Sequence, residues 1–175
     1  MTHEAFSSEF YPKVDAKARV SVPAPFRRIL ESGDPVSNDK PRTRLYMIYG
    51  GTNRRYVECY SMEGARDLTR RVLSLPRASQ QRAIASRTFL TQAITVEIDD
   101  DGRIVLPPPV REKMEISPED MAAGLEAAFA GDGQSFQLWK RSIYQVDVLD
   151  KLAAWDREVL GDLDPATLLP DFPGE

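Results

Sequence analysis

Hydrophobic and polar positions alternate in two short stretches of this chain, and each alternation stops at a proline. In the first, Val14, Val20 and Val22 are apolar, with Asp15, Arg19 and Ser21 polar among them. In the second, Ile98, Ile104 and Leu106 are apolar, with Asp99 and Arg103 among them. The pattern predicts an incoming strand at Phe10–Val14 or Thr95–Ile98, a tight turn at DAKA or DDDG, and an outgoing strand at Arg19–Val22 or Arg103–Leu106. Pro23 and Pro107 end the outgoing strands, because proline has no N–H to donate to a ladder. The segments that follow, PAPFRRIL and PPPVREKM, read as short helices, since proline is tolerated in a first turn. A second strand pair comes after each: LYMIYG (45–50) with YVECY (56–60), and LEAAFAG (125–131) with SFQLW (135–139). Glycines at 50–51 and around Asp132 suit their turns. LEAAFA is rich in alanine and, by propensity alone, reads equally as helix.

The period changes between the two stretches. Ala65, Leu68, Val72 and Leu75 form one helical stripe, with Ser61 as N-cap and Glu63 in the first turn. Pro76 interrupts it, and residues 77–92 resume as a second helix. Val148, Leu152, Trp155 and Val159 predict a further amphipathic helix. The tail from Gly161 is acidic and rich in proline, which predicts mobility.

The stretches are copies of one another. VDAKARVSVPAPFR (14–27) and IDDDGRIVLPPPVR (98–111) align at a constant offset of 84 with five identities: Asp15, Arg19, Pro23, Pro25 and Arg27 meet Asp99, Arg103, Pro107, Pro109 and Arg111. Such repetition signals a repeat-built architecture. A module of about 50 residues buries little surface alone, and its strands leave open edges. Two copies packed about a pseudo-twofold answer both problems. The expected fold is therefore α+β and β-rich, one pseudo-symmetric unit.

Charge sharpens the picture. The 175 residues carry a net −4, which argues against a polyanion partner until the halves are separated. Residues 1–93 hold 16 Lys and Arg against 9 Asp and Glu, whereas residues 94–175 hold 7 against 18. A basic first half and an acidic second half can orient the molecule on a polyanion. The first turn presents Lys17 and Arg19, a point charge for phosphate and a guanidinium fork for phosphate or a guanine edge. Arg27 and Arg28 follow on the next helix and join them as candidate DNA contacts. In the second turn Asp101 replaces the lysine, beside Asp99 and Asp100. Three carboxylates repel phosphate, so Asp99 and Arg103 read as a structural pair. Asp15 and Arg19 admit the same reading alongside the DNA-binding one.

Other chemistry is thin. His3 is the single histidine and Cys59 the single cysteine, so neither a catalytic triad nor a disulfide nor a cysteine zinc cluster within one chain is expected. No phosphate-cradling glycine loop, metal-ligand spacing, signal peptide or apolar span of membrane length is read. The expectation is a soluble cytoplasmic protein that is not an enzyme, with no cofactor and no metal.

VDAKARVSVPAPFR and EIDDDGRIVLPPPVREKMEI, with GDGQSFQLW after the second, resemble the MraZ family over roughly residues 6–147. The resemblance implies two AbrB/SpoVT-like swapped-hairpin modules, at 6–60 and 94–147, with connecting helices at 61–93 and a C-terminal helix and tail at 148–175. It implies a bacterial transcriptional regulator, nucleoid-associated, that binds short direct repeats upstream of the division and cell-wall cluster containing its own gene. It also implies a ring-shaped homo-oligomer, an octamer or dodecamer. One departure stands out: the glycine usual after the lysine of the first motif is Ala18. Repression by promoter occupancy is the expected activity. An oligomeric scaffold that has lost DNA binding is the alternative.

Overall fold

Each copy completes its sheet with strands of the other. The computed structural model describes residues 4–35 and 42–172. In chain order the elements of the first unit, which ends at Arg141, are β1 (Glu9–Phe10), β2 (Lys13–Val14), β3 (Arg19–Ser21), α1 (Ala24–Ser32), β4 (Arg44–Ile48) and β5 (Val57–Tyr60). Then come α2 (Met62–Leu73), α3 (Gln80–Ser86), a π-helical turn (Arg87–Thr91), β6 (Ala93–Glu97), β7 (Arg103–Val105), α4 (Pro108–Lys113), α5 (Pro118–Ala123), β8 (Leu125–Gly131) and β9 (Phe136–Lys140). The fold is α+β. One antiparallel sheet runs β6-β4-β5-β9-β8-β2-β3-β7, with β1 also on β8. The turn between β6 and β7 brings the two ends of that order close together, so the sheet is nearly closed.

The pairing register is symmetric about the repeat. In β3 and β7, Val20 faces Ile104, its own counterpart at the offset of 84, and Arg19 faces Val105 as Ser21 faces Arg103. Val22 N–H donates to the Gly102 carbonyl at 2.9 Å, and Leu106 N–H to the Ala18 carbonyl at 2.8 Å. In β5 and β9, Glu58 faces Gln137, flanked by Val57 with Leu138 and Cys59 with Phe136. The incoming strand of the first copy lies on β8 of the second, and β6 of the second lies on β4 of the first. This exchange pairs edges that a lone module would leave open.

Several elements differ from expectation for local reasons. The first incoming strand is split into β1 and β2 because Pro12 has no N–H to donate, although its carbonyl still accepts from Ala127 N–H at 2.8 Å. LEAAFAG is a strand despite its alanines, since it is flanked on both sides by β9 and the β1–β2 segment. There Ala127 and Ala128 are fully buried. Helix α2 has the expected Ser61 cap, its hydroxyl accepting from Gly64 N–H at 3.1 Å, and buries Ala65, Leu68 and Val72. The core centres on Phe26 of α1, fully buried among Phe6, Phe10, Phe129 and Phe136 with ring centroids 4.8–6.3 Å away.

The second unit, from Ser142, is helical to Leu160. α-Helical turns (Arg141–Tyr144, Lys151–Trp155) alternate with π-helical ones (Gln145–Asp150, Asp156–Leu160). A short 3-10 turn, Pro165–Leu168, follows, capped by Asp164. Among the described residues no helix is long and apolar enough to cross a membrane.

Candidate functional site

Both Asp-x-x-x-Arg turns use one hydrogen-bonding scheme, built on the aspartate. In the first, Asp15 N–H donates to the Arg19 carbonyl and Ala18 N–H to the Asp15 carbonyl, each at 3.0 Å. Asp15 Oδ1 accepts from the backbone N–H of Lys17 at 2.9 Å and of Arg19 at 2.8 Å. The second turn repeats all four bonds within 2.8–3.0 Å, Asp99 Oδ1 accepting from Asp101 and Arg103. A short carboxylate that folds back onto the following N–H groups is what an Asx turn requires. The backbone N–H of Arg19 is the chief reason the Asp15 carboxyl is held below its ordinary pKa. The Arg103 N–H does the same for Asp99.

The fourth position is left-handed in both turns, φ +62° at Ala18 and +78° at Gly102. Ala18 therefore takes the conformation its glycine counterpart takes, with its methyl group fully buried in the core.

The arginines diverge. Arg19 Nε donates to Asp15 Oδ2 at 2.7 Å, which fixes the guanidinium by one edge. Its two Nη groups have no hydrogen-bond partner among the described residues, and Lys17 beside it is exposed and likewise unpaired. In the second turn Asp101 stands at the lysine position and accepts from Arg103 Nη2 at 3.0 Å. The guanidinium is drawn aside: Nε lies 3.7 Å from Asp99 Oδ2, and this buried atom has no hydrogen-bond partner among the described residues. Asp100 faces Arg42 Nε at 3.6 Å. Among the described residues the first turn thus leaves Lys17 and the Arg19 Nη groups unpaired, while the one cation of the second turn, Arg103, is held by that turn's own carboxylates.

Arg27 does not share the surface of Lys17. The antiparallel register sets the two turns at opposite ends of the β3–β7 ribbon. Helix α1 leaves β3 at the second turn's end, and Arg27 crosses Gly102 so closely that a Cβ there would lie 1.5 Å from Nη1. Arg28, next on α1, is exposed. By the same register α4 leaves β7 beside Ala18, so its Arg111 and Lys113 start from the first turn's end; Lys113 Nζ is held by the Gly51 carbonyl at 2.6 Å.

Other arginines of the first half have structural partners. Arg54 binds Glu58 at 2.6 Å, and its guanidinium lies 5.5 Å from the ring centroids of both Tyr56 and Phe89. Arg55 binds Glu115 at 2.7 Å. Arg82 donates to the Leu73 and Leu75 carbonyls at the end of α2. Asp67 pairs with Arg70 one helical turn away, not with Arg71 as its i,i+4 spacing suggests. Cys59 is fully buried, and burial pushes its thiol pKa well up, which keeps it unreactive. His3 lies outside the described residues. Helix α5 went unread in the sequence, although Ser117-Pro118-Glu119-Asp120 carries its signal. Ser117 and Asp120 form a capping box, and Lys140 Nζ donates to Asp120 Oδ2 at 2.9 Å.

Comparison with known proteins adds a lineage. The chain is 48% identical over 145 residues to a protein of Cereibacter sphaeroides named "Transcriptional regulator MraZ", covering 83% of this chain and 85% of that one. It is 37% identical over 164 residues to the protein of the same name from Ruegeria pomeroyi, covering 94% of each. A Halorhodospira halophila protein of that name is 28% identical over 163 residues, covering 89% of this chain and 94% of that one. No family profile matches the chain.

Proposed function

The chain belongs to the MraZ family, and on that premise we propose that it is a transcriptional regulator that binds double-stranded DNA through its first turn. One observation carries this reading: Arg19 is anchored by Asp15 at Nε while both its Nη groups, and the neighbouring Lys17, stay unpaired among the described residues. A guanidinium held by one edge is oriented in advance and keeps its outer face for a phosphate or a guanine. Lys17 adds a phosphate contact. Arg27 and Arg28 act from the opposite end of the ribbon. Asp99 and Arg103 hold the second turn together and complete the fold.

One turn offers few contacts, so a single copy binds weakly. A ring of copies, an octamer or dodecamer, engages successive direct repeats in the promoter of its own division and cell-wall cluster. Linkage of this kind raises affinity by about 10²–10⁴-fold without new contacts. Occupancy excludes polymerase and represses. The protein works in the cytoplasm, on the nucleoid, without catalysis.

The test is titration of a labelled duplex carrying the gene's own upstream sequence, followed by fluorescence anisotropy at low salt. Wild type is expected to bind and Arg19→Ala to lose binding with its assembly mass unchanged. Absence of wild-type binding at low salt would leave the scaffold as the better account. Dissociation or unfolding of Arg19→Ala would make Arg19 a structural residue.

A further inference from the structure

Two surfaces of opposite charge stand open in the single chain. The first is the outer face of α2, α3 and the π-helical turn after them. On α2, Arg66, Arg70 and Leu73 share one face at i, i+4 and i+7, away from the buried Ala65, Leu68 and Val72. Leu73 and Ile84 are 53% and 68% exposed, and exposed Arg77 and Arg87 follow them by four and three residues. Neither Arg77 nor Arg87 has a side-chain partner among the described residues. Residues 61–92 hold six arginines against two acids.

The second surface is the C-terminal helical stretch. Leu152, Trp155 and Val159 recur at three- and four-residue intervals and are 49–68% exposed. Asp156 falls within this stripe by spacing, and Glu158 follows Trp155 by three. Residues 142–172 hold seven acids against two bases. Contiguous exposed apolar side chains rimmed by charge mark an interaction surface.

We propose that the acidic C-terminal helix of one copy docks on the basic α2–α3 face of a second copy. The occupant follows from complementarity: each surface exposes apolar side chains, and each has the charge the other lacks. Opposed charges steer such an encounter and fix its register. Because the two surfaces differ, the contact is head-to-tail. Repeated from copy to copy it closes into a ring or extends as a filament. This inference rests on the homo-oligomer proposed above and names the surfaces that build it.

Light scattering at low salt, coupled to gel filtration of the full chain, tests it. Arg77→Glu with Arg87→Glu reverses the charge at two positions of the face; Asp156→Arg with Glu158→Arg reverses it at two positions of the helix. Each variant alone is expected to lose at least half the wild-type assembly mass, with an unchanged thermal melt by circular dichroism. An equimolar mixture of the two is expected to regain the wild-type mass, because each mutant surface then meets an opposite one on its neighbour. Variants that keep the wild-type mass would overturn the proposal and assign these surfaces to other partners. Loss of mass without recovery in the mixture would also overturn it. A wild-type chain at single-chain mass would sink the ring itself, whereas an oligomeric wild type with oligomeric variants sinks only the docking of these surfaces.

Discussion

Ala18 puts a methyl group into a backbone conformation that its repeat partner fills with glycine. Two effects of similar size oppose each other there. A non-glycine residue in the left-handed region costs about 1–2 kcal/mol, and the buried methyl returns about 0.8 kcal/mol. Ala18→Gly is therefore expected to change unfolding free energy by less than about 1 kcal/mol in a urea titration. Gly102→Ala is not its mirror image. The new Cβ would lie 1.5 Å from Arg27 Nη1 at a φ of +78°, so the substitution displaces the guanidinium and strains the turn. It is expected to cost more than about 1 kcal/mol in the same titration. The two turns are thus alike in backbone and unlike in what presses on them.

At the scale of elements, α1 and α5 depend on different physics. Helix α1 is held by Phe26, which inserts a whole ring among four others. Phe26→Ala is expected to cost about 3–5 kcal/mol, measured as a shift of the denaturation midpoint. Its repeat counterpart, Val110, is also fully buried but brings no ring, so the aromatic cluster belongs to the first copy's helix alone. Helix α5 has six residues and depends on its cap. Donation from Ser117 N–H, followed by Lys140, lowers the Asp120 carboxyl from 3.8 to about 2. Since the folded value lies below the ordinary one, the stability Asp120 contributes is complete above its ordinary pKa and is lost as pH falls from there toward 2. Asp120→Asn is expected to flatten that part of the stability–pH curve, read by denaturant melts across acid pH.

Across the whole molecule, charge is divided by half and then divided again by turn. The net −4 hides a first half carrying 16 bases and 9 acids. Within it the first turn leaves both its lysine and its arginine fork unpaired among the described residues. DNA affinity is expected to fall steeply with salt, and Lys17→Ala to reduce the log–log slope by about 0.9 for each phosphate contact removed. An unchanged slope, measured by anisotropy over a salt series, would place Lys17 away from the duplex.

The amino-acid order by itself determined the repeat, the strand–turn–strand pattern of each copy, the prolines that end the outgoing strands and the Ser61 cap, because these rest on contacts between near neighbours. It also carried the family resemblance, since the motif residues are contiguous. Only the tertiary structure decided which strands pair. The symmetric register of Val20 with Ile104 sends the two turns to opposite ends of one ribbon, and with them it separates Arg27 from Lys17. That separation could not be read from a spacing of ten residues, because it depends on backbone hydrogen bonds to a segment 84 positions away. The same distance hides why LEAAFA is a strand: alanine's helical propensity is outweighed by strands on both sides that satisfy its N–H and carbonyl groups.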